Sequence, residues 1–290
     1  MKKHYIALAI MTGLTLQSFA EPVVPRGDFT KKLKKVAGEP GQFYFGKEVF
    51  PKDYFLVPRN LPFLAGLSLH HPKSSTLKLS KEQIEGIQKI KKTTVPPVLK
   101  MTKKVKELEL KLAQNIAIDT SKAEDQFGLV DEIAKIRTDL TKAHLKCINE
   151  VRAILTKEQY KKLLKYATNM KHKPKSNKFK VDELVFLPHP GKFIKKGIID
   201  LNKDQKEKLS KIKSTLVPKF QGKLREAFDV ENKLRRKVAK GATAIEVKGL
   251  LDKIEKLKRE SIDIRIGALD KIRQLLTQEQ WKKVNKLTYK

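Results

Sequence analysis

Residues 155–159 read Leu-Thr-Lys-Glu-Gln, and residues 276–280 read Leu-Thr-Gln-Glu-Gln. Near-copies stand at 79–83 (Leu-Ser-Lys-Glu-Gln) and 201–205 (Leu-Asn-Lys-Asp-Gln). Each phrase has the chemistry of a helix start. With Thr156 as the N-cap, its hydroxyl accepts from the backbone N–H of Gln159, and the Gln159 side chain reaches back to the N-cap N–H, a capping box. Ser80 with Gln83, Asn202 with Gln205 and Thr277 with Gln280 repeat the arrangement. Leu155 and Tyr160 stand at the positions of a hydrophobic staple, as do Leu276 with Trp281 and Leu79 with Ile84. At Leu201 the second member is Lys206, so that staple is weak. Glu82, Glu158, Asp204 and Glu279 fall in first turns, where the helix dipole favours a negative charge.

The four phrases belong to a duplication. A shift of 122 places 79–83 on 201–205, Val95-Pro96 on Val217-Pro218 and Leu112 on Leu234. A shift of 121 places Ile133 on Ile254, Val151 on Ile272 and 155–159 on 276–280. One residue is therefore missing from the second copy, which the alignment assigns to the stretch 113–122. The spacing predicts a helix from Lys81 to Thr93, ended or kinked by Pro96 and Pro97, since proline removes a donor and clashes one turn back. Val98, Met101, Val105, Leu108, Leu112 and Ile116 predict a second helix by their three-and-four spacing, matched by Phe220, Leu224, Ala227, Leu234 and Val238. A long third helix follows, with the stripe Phe127, Val130, Ile133, Ile136, Leu140, Cys147, Val151 and Ile154. A short helix closes each copy. The fold expected is all-α, two tandem modules of about four helices each, at 61–170 and 186–290, joined by a basic linker at 171–185.

The chain has 290 residues and a formal net charge of +32. Lys2 and Lys3, the apolar run Tyr5 to Leu16 and the small residues Ser18 and Ala20 read as a secretory signal with cleavage after Ala20. That run is too short to span a bilayer, and no later one is long and apolar enough. The expected location is a bacterial periplasm, with a mature charge of +30 once Lys2 and Lys3 are removed. Residues 21–60, rich in Pro, Gly and aromatics, form an extension without periodicity. Cys147 is the chain's single cysteine, which excludes an internal disulfide. Its place on an apolar stripe suits a buried thiol.

Four such phrases behind a signal peptide resemble the LTxxQ family typified by Spy and CpxP. In that family one phrase near each end brackets about 75–80 residues of helix. Here Gln83 to Gln159 is 76 residues and Gln205 to Gln280 is 75. The phrases at Leu155 and Leu276 match fully. Those at Leu79 and Leu201 keep the leucine, a capping residue and the glutamine. The proline-interrupted first helix and Ile118-Asp119-Thr120 also resemble the family. Members usually carry one unit and dimerise into a thin, curved cradle. The resemblance implies that two fused copies pair within one chain, so that the protein is a monomer.

Motif searching reveals no catalytic constellation. There is no GxSxG, no Gly-rich phosphate loop and no HExxH, and neither an enzyme nor a cofactor is expected. His70, His71 and His189 are the metal-binding candidates, with His71-Pro72 and His189-Pro190 standing before the two copies as potential equivalents. No HxxxH or CxxC accompanies them, and no metal ligand is assigned. The remaining signal is charge. Lys89, Lys92, Lys100, Lys103 and Lys104 crowd the first copy beside Met101. Lys211, Lys213, Lys219, Lys223 and Arg225 do so in the second beside Phe220. A net charge this large attracts anions. Nucleic acid is not expected outside the cytoplasm, and the aromatic platforms of single-strand binders are missing. The expected function is an ATP-independent periplasmic chaperone binding unfolded or partly folded envelope proteins, acidic ones above all. The alternatives are a CpxP-like adaptor of an envelope-stress sensor kinase and a periplasmic metal sensor.

Overall fold

A computed structural model describes residues 44–45, 48–49, 54–57, 61–71, 73–117, 122–169, 184–185 and 187–289. The expected leader, most of the 21–60 extension, most of the 171–185 linker, His172 and residues 118–121 lie outside the described residues. The described chain is all-α, apart from one antiparallel ladder of two-residue strands, β1 (Tyr44–Phe45) and β2 (Glu48–Val49). The first copy forms α1 (Leu64–His70), α2 (Lys81–Ala117), α3 (Phe127–Ile154) and α4 (Lys157–Asn169). The second forms α5 (Pro190–Lys195), α6 (Lys203–Ala239), α7 (Lys248–Leu275) and α8 (Gln278–Tyr289). Helices α2 and α6 have the same length of 37 residues, and α3 and α7 the same length of 28. The missing residue therefore falls in the connection 118–126 against 240–247, at the far side of the stretch first assigned to it.

The prolines do not interrupt the helices. Helix α2 runs through Pro96 and Pro97, and α6 through Pro218. The expected break fails for a tertiary reason. Pro96, Pro97 and Pro218 lie on exposed faces, and the carbonyls their rings cannot bond belong to solvent-facing turns. Ile87 and Val98 on either side of the proline pair are fully buried, and Leu209 before and Leu224 after Pro218 are buried. Each interior proline costs about 3 kcal/mol. Each buried aliphatic side chain returns about 1.5–3 kcal/mol, so packing on both flanks holds the helix across the defect.

Helix α2 packs along α3, and α6 along α7. Their facing leucines, isoleucines and valines form one core. Helix α3 also packs on α7. Thr138 Oγ1 donates to Glu255 Oε2 at 2.7 Å, Arg259 pairs with Asp131, and Arg152 donates to the Gly241 carbonyl. Residue numbers rise along α3 as they fall along α7, so the two helices run antiparallel. Leu145 and Ile148 are buried on α3 where the expected stripe had Ile136, which is half-buried.

Residues Tyr54–Val57 are part of this core. Phe55, Leu56 and Val57 are buried. The Leu56 N–H donates to the Arg137 carbonyl at 3.0 Å, the Val57 N–H donates to Thr141 Oγ1 at 3.2 Å, and the Leu56 carbonyl accepts from Lys258 Nζ at 2.6 Å. This short piece of the extension thus touches α3 and α7 together. A buried irregular segment needs partners for its backbone polar groups, and the two long helices supply them.

Candidate functional site

All four phrases carry both hydrogen bonds of a capping box. The Ser80, Thr156, Asn202 and Thr277 N–H groups donate to the Oε1 of Gln83, Gln159, Gln205 and Gln280, at 2.8–3.1 Å. The return bonds from the glutamine N–H groups to the capping oxygens measure 2.8–3.2 Å. Leu155, Leu201 and Leu276 are buried and Leu79 is half-buried, each seated beside its cap.

The glutamine side chains do more than cap. Gln83 Nε2 donates to Gln159 Oε1 at 2.9 Å, and Gln159 Nε2 donates back to Gln83 Oε1 at 3.0 Å. Gln83 also reaches the Ile154 carbonyl, and Gln159 the carbonyls of Leu77 and Lys78. Gln205 and Gln280 repeat the exchange at 3.0 and 3.4 Å, with the carbonyls of Leu275 and Asp200 as their further acceptors. Each glutamine therefore ties its own helix start to the chain entering the other phrase. The paired phrases of one copy meet in space, and the clasp closes the open end of each helical hairpin.

A second repeated pair lies mid-hairpin. Glu109 on α2 binds Arg137 on α3, and Glu231 on α6 binds Lys258 on α7 at 2.6 Å. All four side chains are almost fully buried. Desolvation is the leading influence on Glu109 and pushes its carboxyl upward, against the attraction of Arg137. The two pairs are equivalent under the same shifts of 122 and 121. That register is the signal by which the sequence alone could have found them.

The basic candidates divide by environment. Lys89, Lys92, Lys100, Lys103, Lys213, Lys219 and Arg225 are exposed on α2 and α6. Lys104 pairs with Glu132, Lys211 with Glu207, and Lys223 with Glu260. Met101 packs on the core and Phe220 is half-buried. The candidates thus lie along two long helices rather than in one cluster.

The histidines take separate places. His71 ends α1 and stacks on Tyr166 with ring centroids 4.7 Å apart, whereas His189 precedes α5 and meets the Arg265 guanidinium. They are not equivalent in the fold, because one follows its short helix and the other leads it. His144 is buried and stacks on Phe63. Among the described residues, no group of three or more His, Cys, Asp or Glu is placed to hold a metal ion. No described helix is long and apolar enough to cross a membrane. No protein-family model, curated protein or solved structure matches the chain.

Proposed function

We propose that this chain is an exported, ATP-independent chaperone of the LTxxQ kind, in which two fused modules substitute for the two chains of a Spy-like dimer. The observation that carries the reading is the series of exposed cations along α2 and α6. Seven of the candidate lysine and arginine side chains are exposed on these helices, which also carry the half-buried Met101 and Phe220. Such a surface attracts acidic unfolded chains at long range. Partly covered apolar groups then hold them weakly, and release follows from modest affinity without a nucleotide. The antiparallel contact of α3 with α7 supports intramolecular pairing into a curved cradle.

The test is aggregation suppression with several unrelated unfolding clients, at low and at high salt. The expected result is suppression of all of them, weakened by salt. Binding to a single partner, with no effect on unrelated aggregating proteins, overturns the chaperone reading.

A further inference from the structure

A pocket of about 430 Å³ opens where the first module's second phrase meets the connection between α6 and α7. Asn149, Arg152 and Ala153 at the end of α3, Lys157 and Tyr160 at the start of α4, and Thr243 in that connection line it. No aspartate or glutamate is among its lining residues. The Arg152 guanidinium lies 5.4 Å from the Tyr160 ring centroid and donates from Nη1 to the Gly241 carbonyl. Gly241 has φ +100°, and a Cβ there would collide with that guanidinium. Glycine at this turn is what lets the arginine reach the connection. Among the described residues, no carboxylate stands within ion-pair distance of Arg152 or Lys157. Glu246 is an acidic group in the field of Arg152, but it does not line the pocket. Its carboxylate accepts from the Thr243 N–H and hydroxyl and lies in the field of Lys237 as well.

The second module fills the same place differently. Under the shift of 121, Asn149, Arg152 and Tyr160 become Asp270, Arg273 and Trp281, and Thr243 corresponds to Lys122. Those four residues line a hollow of about 20 Å³. Asp270 pairs there with Arg273, and Trp281 is 2% exposed. One copy therefore answers its arginine with a carboxylate and closes the space with an indole. The other has a neutral amide at that position and an open pocket.

From this contrast we propose that the first module's pocket binds a small organic phosphomonoester, its phosphate held between Arg152 and Lys157. The pocket lies within the roughly 300–1,000 Å³ of small-ligand sites. A phosphomonoester brings about two negative charges at neutral pH and three strong acceptor oxygens. The pocket answers with two cations and the amide of Asn149. A guanidinium fork matches phosphate oxygens. The Nη1 bond to Gly241 fixes the fork and leaves its other N–H groups as donors. A carboxylate has one charge and two oxygens, so it satisfies fewer of these groups. The organic remainder takes up the rest of the volume beside the exposed Ala153. The site lies apart from the cations of α2 and α6, and it stands or falls separately from chaperone activity.

Calorimetric titration of the full-length chain with glycerol 3-phosphate tests the proposal, at physiological ionic strength so that loose surface attraction is screened. The expected result is one saturable site, with acetate binding at least tenfold more weakly. Asn149→Asp installs the second module's carboxylate without removing a cation, and like-charge repulsion should weaken the ester by about tenfold or more. Lys157→Gln alters an exposed side chain and should weaken it several-fold with unchanged helical circular dichroism. Lys213→Gln, which removes an exposed charge on α6, and Asp270→Asn, beside the closed hollow, should leave binding unchanged. The proposal is overturned by the lack of a saturable site, by full binding in both the Asn149 and Lys157 variants, or by equal loss in the Lys213 variant. It is likewise overturned if acetate binds as tightly, or if phosphatidic acid vesicles bind and glycerol 3-phosphate does not.

Discussion

Gln83 and Gln159, 76 residues apart, exchange side-chain amide hydrogen bonds with each other while each also caps its own helix. One residue type does both jobs because an amide offers an acceptor and a donor on one terminal group. The oxygen serves the cap, and the nitrogen serves the other phrase. This is a physical reason for glutamine at the last position of all four phrases. Glutamate would complete the box equally well but has no donor when ionised.

Glutamate is accordingly the substitution that separates the two roles. In Gln83→Glu the cap and the bond accepted from Gln159 survive, while the two bonds that the Gln83 amide donates, to Gln159 Oε1 and to the Ile154 carbonyl, are lost. The expected cost is about 1–3 kcal/mol, the penalty for partly buried polar groups left unpaired. Gln205→Glu should cost at least as much, since Gln205 is buried where Gln83 is half-buried. Urea denaturation measures both, and unchanged midpoints would show that the clasp contributes nothing.

The caps themselves are tested by Thr156→Ala and Thr277→Ala. Each removes a hydroxyl that accepts from a glutamine N–H at 3.2 Å, and each should cost about 0.5–2 kcal/mol. Chemical denaturation is again the measurement. A threonine whose removal leaves the midpoint in place is not acting as a cap.

The helix starts, the duplication and the all-helical class were legible in the sequence because they are written within a few residues or in a constant shift. The clasp was not, since it joins residues about 75 apart and nothing local distinguishes a capping glutamine from a clasping one. Pro96 and Pro97 misled for the same reason. The helix-breaking tendency is local, whereas the burial of Ile87 and Val98 that overrides it is tertiary. Residues Tyr54–Val57 show no periodicity because they form no regular element, yet they are buried against α3 and α7. The basic candidates were visible as composition, but their division between ion pairs and open surface depends on the neighbouring helix.

The Glu231–Lys258 pair predicts a non-additive response. Glu231→Gln leaves the Lys258 ammonium buried with a neutral partner and the Leu56 carbonyl, and should cost about 3–5 kcal/mol. Replacing both charges, Glu231→Leu with Lys258→Met, removes the uncompensated ion. It leaves the Leu56 carbonyl without its donor, a smaller loss of about 1–3 kcal/mol. A double variant less stable than Glu231→Gln, in urea titrations of both, would refute this ordering.

Cys147 should be a poor nucleophile. Its thiol is pushed up to about 11, first by desolvation and then by Glu150. Thiolate is the reactive form, so at pH 8 its fraction falls roughly a hundredfold below that of a thiol at the ordinary value of 9.0. Alkylation by iodoacetamide in the native protein should be slower by about that factor than in urea, and equal rates would mean that the thiol is open to solvent.

The last expectation concerns the duplication. Arg259 on α7 reaches both Asp131 and the Phe127 carbonyl on α3, Thr138 reaches Glu255, and Tyr54–Val57 is bonded to both long helices. A first module cut out as residues 61–170 loses all of these partners at once. It retains its own clasp and its own Glu109–Arg137 pair, so its hairpin can still form, but the α3 face that meets α7 is bared. If that face is where two family chains would meet, the isolated module should dimerise or fold poorly. The full-length protein should be a monomer, its charge of +32 further opposing self-association. Light scattering on both proteins decides the matter. A full-length dimer, or an isolated module that is well folded and monomeric, would show that the two copies do not stand in for two chains.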